Sequence, residues 1–133
     1  MFIFENGQGI LEDNDIFGSG MAGIEITKDS NPTVRRNQIH DGQSAGVFIY
    51  EDAKGIIEDN DIFGNARSGV RIQENSNPII RYNRINKNGF EAVRVLSSAG
   101  TFEDNDLRDN GKGAWNISED SLPNVKRVRN IED

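Results

Sequence analysis

Four polar residues in a row, Glu58-Asp59-Asn60-Asp61, stand between apolar neighbours in the stretch IEDNDIFGNA that runs from Ile57 to Ala66. Carboxylates at this spacing are the raw material of calcium ligation or of paired acid–base chemistry. A calcium loop needs oxygens at alternate positions, a glycine for its sharp turn and a bidentate glutamate at its end. Asp59 and Asp61 fit the first two ligand positions and Gly64 fits the glycine. Phe63 then falls at the third ligand position and Val70 at the twelfth, and neither side chain can coordinate. The EF-hand reading therefore fails, and the sequence calls for no metal and no cofactor.

The same words recur upstream as LEDNDIFGSG (Leu11 to Gly20) and downstream as FEDNDLRDNG (Phe102 to Gly111), which turns attention from chemistry to architecture. Asn14, Asn37, Asn60 and Asn83 are spaced by 23 residues, and Asn105 follows after 22. Gly9, Pro32, Gly55, Pro78, Gly100 and Pro123 keep step with them, as do Ile16, Ile39, Ile62, Ile85 and Leu107. A fixed period of this length is the signature of a stacked repeat protein. Within each repeat the apolar period is two, as in GVFIY (Gly46 to Tyr50) and GVRIQ (Gly69 to Gln73). That alternation predicts short strands, with Val47 and Ile49 facing one way and Phe48 and Tyr50 the other. Each repeat is too small to bury its apolar side alone and does so by stacking on its neighbours.

The pattern SNPTVRRNQIHDGQSAGVFI followed by KGIIEDNDIFGNARSGVRI resembles the right-handed parallel β-helix repeats of carbohydrate-binding and sugar-hydrolase domains and of periplasmic copper-site assembly proteins. It is most similar to the β-helix substrate domain of an F-box ubiquitin-ligase subunit. The similarity runs from Phe4 to about Ile117. It implies an all-β, right-handed, single-stranded parallel β-helix of about six coils, each of 22–23 residues. Residues 1–118 form the coils, starting partway through one with Met1 and Ile3 inward, and residues 119–133 form a degenerate C-terminal coil or cap.

Stacked coils allow the same slot to be compared from floor to floor. Leu11, Val34, Ile57, Ile80, Phe102 and Val125 share an apolar slot that should face inward. Asn14, Asn37, Asn60, Asn83 and Asn105 form an expected inward ladder, each amide bonding the next, which ends where Val128 takes the slot. Glu12, Arg35, Glu58, Arg81, Glu103 and Lys126 alternate strictly in sign. The next slot reads Asp13, Arg36, Asp59, Tyr82, Asp104 and Arg127, and another reads Asp15, Gln38, Asp61, Arg84, Asp106 and Arg129. In-register stacking would set like charges on one another, and alternation converts that repulsion into surface ion pairs and opposes slippage by one coil. The EDND runs are thus an electrostatic ladder, and the true repeat is a pair of coils, 46 residues.

Several function classes recede. A net charge of −7 argues against a nucleic-acid binder, which needs a basic face. No apolar run approaches the ~20 residues that span a bilayer and no basic-then-apolar signal opens the chain, so a soluble protein without a membrane partner is expected. The absence of cysteine leaves the compartment undetermined. By resemblance, pectin-type lyases of this fold use acidic residues with calcium and a basic Arg or Lys, and the related hydrolases cluster several Asp with a His and an Arg-x-Lys element. Here RIQ at Arg71 to Gln73 lacks the lysine, and the single histidine, His40, shares its slot with Phe17 and Phe63 and reads as a packing or turn residue.

Binding leaves a positive trace. Phe48 and Tyr50 should project outward beside Arg71 and Arg94 on the following floors, and aromatic and arginine side chains anchor many recognition surfaces. Trp115 aligns with Val47 as a large core filler, and Asn116 to Ser118 match a glycosylation sequon. The expectation is a non-catalytic recognition or scaffold module, part of a larger protein, that binds a protein or a carbohydrate and has open ends suited to end-to-end self-association. A polysaccharide lyase or glycoside hydrolase is the alternative, and an acidic DNA-mimic solenoid a second, weakened by the basic floors.

Overall fold

The computed structural model describes the backbone of residues 1–3 and 7–133, and side chains from residue 7 onward together with Met1. Phe4, where the sequence resemblance begins, and the Ile3 side chain lie outside the described residues. The chain winds into three parallel sheets. Sheet A stacks Phe2–Ile3, Ile24–Ile26, Val47–Ile49, Val70–Gln73, Val93–Leu96 and Trp115–Ile117. Sheet B stacks Ile10–Glu12, Thr33–Arg35, Ile56–Glu58, Ile79–Arg81, Gly100–Glu103 and Val125–Val128. Sheet C holds four strands, Asp15–Phe17, Gln38–His40, Asp61–Phe63 and Arg84–Asn86. Asp106 and Ile131 extend it by single bridges.

Six strands in sheets A and B give five returns of the chain onto itself, so the solenoid makes about five turns rather than the six expected. Met1 is 56% exposed rather than inward, because it sits on the outermost rung with a neighbour on one side only. The interior follows the period-2 pattern. Ile24, Ile26, Val47, Ile49, Val70 and Ile72 from sheet A meet Val34, Ile57 and Ile80 from sheet B and Ile39, Ile62 and Ile85 from sheet C, all fully buried. β-Branched side chains suit this surface because their stiff rotamers pack well on a pleated strand.

Each corner between sheets has its own ladder. At the B-to-C corner Asn14, Asn37, Asn60, Asn83 and Asn105 each donate from backbone N and from Nδ2 to the next asparagine's Oδ1, at 2.9–3.1 Å. The ladder does not stop at Val128: Asn130 Oδ1 accepts from Asn105 at 2.9 Å. A second asparagine ladder, Asn65, Asn88 and Asn110, lines the C-to-A corner. Serines 76, 98 and 121 accept backbone N–H bonds from the preceding coil at the A-to-B corner. These bonds satisfy backbone groups that leave the sheets at each turn and would otherwise be buried unpaired.

The uneven spacing has local causes. Two left-handed residues make the A-to-B corner on the early coils, as at Glu51 and Asp52 (φ 54 and 62°) and at Glu74 and Asn75 (φ 58 and 62°). Ser97 alone does so on the next, which explains the step of 22 from Asn83 to Asn105. The last coil gains residues around the 3-10 turn Leu122–Asn124, so that Gly100 pairs with Val125 and Glu103 with Val128. Val125 therefore leaves the slot of Phe102, which Arg127 faces, and Lys126 lies opposite Thr101 and drops out of the charge ladder.

Candidate functional site

On the strands of sheet A every second side chain points away from the core. Glu25, Phe48, Arg71, Arg94 and Asn116 follow one another in register on this outer face. The Phe48 and Tyr50 rings stack at 4.2 Å between centroids, and the Arg71 guanidinium lies 5.2 Å from the centroid of Phe48. All four residues expected on a binding surface thus come together. Burial, followed by repulsion from Arg94 and Arg67, holds the Arg71 pKa below the usual guanidinium range. Arg71 Nε and Arg94 Nε are sealed from solvent without a hydrogen-bond partner. Burial and like charge thus act on Arg71 in the same direction, while Glu25, Glu51 and Glu74 lie near the Tyr50 end of the face, where burial first and then Glu25 raise the Tyr50 pKa.

The C-to-A corner adds three residues that a comparison of strand slots overlooks. Arg67 stands 5.8 Å and Lys112 Nζ 4.1 Å from the centroid of Phe90, with Phe90 between them in the stack. Their signal was present in sequence, since Met21, Ser44, Arg67, Phe90 and Lys112 each fall three residues before a sheet A strand. Arg67, Arg71, Arg94 and Lys112 form no ion pair among the described residues. Glu25 and Glu91 edge the patch but are buried, and Glu91 accepts a bond from Ser68 Oγ at 3.3 Å. A −7 chain therefore concentrates four unpaired cations and three aromatic rings on one face.

The acidic runs are used differently. Arg35 Nε donates to Glu12 at 2.7 Å, Arg36 to Asp13 at 3.1 Å, Arg81 to Glu58 at 2.8 Å and Arg129 to Asp104 at 2.7 Å. Each acidic floor bonds the basic floor that follows it, so the pairs divide the solenoid into two-coil units. Arg129, expected opposite Asp106, reaches Asp104 because the last coil is lengthened; Asp106 is held instead by Arg108 at 2.8 Å. Bonding to Arg36 and to Arg129 lowers the pKa values of Asp13 and Asp104 respectively.

His40 sits where its slot implied, stacked between Phe17 and Phe63 at 5.6 and 4.6 Å. Its Nδ1 faces Asp41 at 2.5 Å and its Nε2 faces Asp15 at 2.7 Å. The Asp41 bond raises its pKa above the ordinary 6.5, burial opposes this, and Asp15 reinforces it. The two carboxylates occupy opposite ring nitrogens, a geometry that holds an imidazolium rather than converging on one ion. Trp115 is half-buried, packs edge-on to Phe102 at 5.2 Å and lies under Arg127 at 5.2 Å.

A family model described as right handed beta helix region matches residues 1–130. The crystal structure of the periplasmic alginate epimerase AlgG superposes with a TM-score of 0.90 at 18% identity, covering 98% of this chain and 35% of that one. The structure of a point variant of the same epimerase gives a TM-score of 0.68 at 17% identity, covering 98% and 42%. The chain thus spans about 35% of the epimerase's length in the first comparison, and at such identity the likeness is one of fold.

Proposed function

The chain belongs to the right-handed β-helix family, and from that premise we propose that it is a non-catalytic recognition module, part of a larger protein, that binds an acidic polysaccharide along the outer face of sheet A. The observation that carries this reading is the row of Arg67, Arg71, Arg94 and Lys112, interleaved with Phe48, Tyr50 and Phe90 and free of ion pairs among the described residues. Strands stack ~4.8 Å apart, so the cations repeat along the solenoid axis and suit a polymer whose carboxylates or sulfates also repeat. Guanidinium groups supply forked donors to carboxylate oxygens, and the aromatic rings offer flat apolar area to sugar faces. Burying an acidic ligand against Arg71 also relieves the repulsion between Arg71, Arg67 and Arg94.

The likeness to an alginate epimerase supports a carboxylated sugar polymer as the first ligand to try. The test incubates the full chain with alginate, a sulfated polysaccharide and a neutral glucan, and follows bound protein and new chain ends in the same tubes. Binding to the acidic polymers without new ends supports recognition. New ends or a changed sugar composition would move the chain to the enzymatic alternative, and absence of binding to every acidic polymer would sink the reading.

A further inference from the structure

The B-to-C corner carries a second set of groups that the sheet A face does not use. In its left-handed slot Asp13 pairs with Arg36 and Asp104 with Arg129, but on the middle pair of coils the cation is missing: Asp59 is followed by Tyr82, which is 57% exposed. Two residues further on, Asp61 is the register partner of Arg84, yet no ion pair joins them. Asp61 Oδ1 is sealed from solvent and lacks a hydrogen-bond partner. The pairing of acid with base, lost at Glu103 where the last coil is lengthened, is lost among the regular coils at this level, and here the break coincides with a depression. Asp59, Asp61, Tyr82 and Arg84 line a shallow cavity of about 380 Å3, alongside Arg36, whose guanidinium is taken by Glu12 and Asp13. A second cavity of about 380 Å3 shares Tyr82 and Arg84 and continues towards Asp104 and Asp106.

We propose that this corner groove is a binding site for an uncharged oligosaccharide, separate from the sheet A face. Each cavity lies in the ~300–1,000 Å3 range of small-ligand sites, and together they flank Tyr82 as two adjoining subsites. A phenol ring with an exposed face takes the apolar face of a pyranose while its hydroxyl stays wet. Carboxylates accept from sugar hydroxyls and a guanidinium donates to them, so Asp59, Asp61 and Arg84 together match both hydrogen-bonding senses of a polyol. Two unpaired carboxylates against one cation repel an anionic sugar, which separates this site from sheet A in ligand class. An aspartate carboxylate turns readily about χ2, and a ligand hydroxyl meeting it removes the cost of the orphaned Oδ1.

The test titrates the full chain with uncharged gluco-, manno- and galacto-configured oligosaccharides and records amide NMR spectra. Shifts confined to Asp59–Asp61, Tyr82–Arg84 and Asp104–Asp106 are expected with one of them. Tyr82→Asn is the variant of choice, because asparagine tolerates the left-handed backbone at φ 56° and so keeps the fold. It is expected to weaken binding about tenfold or more, the loss of one good stacking contact, whereas Arg71→Ala leaves it unchanged. The proposal is overturned if no uncharged oligosaccharide moves these amides, if Tyr82→Asn binds like the parent chain, or if an acidic oligosaccharide competes for the groove. Failure of the sheet A reading, scored with acidic polymers and Arg71→Ala, leaves each of these outcomes independent.

Discussion

Asn60 Nδ2 and the Asn60 backbone N both donate to a single atom, Asn83 Oδ1, each at 3.0 Å, while Asn60 Oδ1 receives the same two bonds from Asn37. Every inner rung of the ladder is thus donor to one neighbour and acceptor from the other, so removing one disturbs both.

Truncating Asn60 to alanine removes three of these four bonds, together with the Nδ2 bond to the Val34 carbonyl, in a site that is 3% exposed. We expect Asn60→Ala to destabilise the fold by ~1–3 kcal/mol, the cost of leaving buried groups unpaired. Glu58→Gln, which weakens a solvated pair with Arg81, should cost under ~1 kcal/mol. Urea melts of both variants check the ranking, and the reverse order would mean that the charge ladder rather than the amide ladder holds the coils.

Asn130 extends that ladder after an interval of 25 residues, accepting twice from Asn105 and donating to the Phe102 carbonyl at 3.0 Å. Asn130→Ala is expected to loosen the last coil first. Hydrogen exchange should speed up at Val125–Val128 and at Asn105 while Val47–Ile49 keeps its protection; uniform loss of protection would show that the final coil folds only with the whole.

His40 gives stability a pH dependence of known sign. Its folded pKa is raised by Asp41 and Asp15, so its contribution is fully present below the unfolded value of about 6.5 and is lost as pH rises through the folded value. Urea midpoints should therefore contain a component that falls over that window. His40→Phe keeps a ring between Phe17 and Phe63 and should remove the component; if the component persists in the variant, another group is responsible.

Acidic-polymer binding to sheet A should weaken steeply with added salt, because exposed charges are screened within ~8–10 Å near physiological ionic strength. Arg71→Ala and Arg94→Ala are each expected to reduce retention on immobilised alginate several-fold, and Lys28→Ala, an exposed cation at the A-to-B corner, to leave it unchanged. Equal effects from all three would indicate attraction by overall charge and no defined face.

Much of this was legible in the sequence because stacking in register gives the same slot the same surroundings every 22–23 residues. A repeated environment selects a repeated residue, so the coils, the inward apolar slots, the Asn14–Asn105 ladder, the aromatic company of His40 and the outward set Phe48, Tyr50, Arg71 and Arg94 followed from spacing alone. The resemblance to β-helix repeats added handedness, which the family match bears out. Other features depended on corner geometry, which no single period encodes. The sequence aligned Val128 with the asparagine slot, whereas the residues gained around Leu122–Asn124 carried Asn130 there and removed Lys126 from the charge ladder. It set Glu58 between Arg35 and Arg81 without choosing, and side-chain direction chose Arg81. Arg67, Phe90 and Lys112 joined the sheet A face, and Asp59, Asp61, Tyr82 and Arg84 were left unpaired around one groove, because a backbone turn aims a side chain by its φ and ψ. One-dimensional periodicity fixes which residues share a level and a face; only the folded corners decide which of them touch.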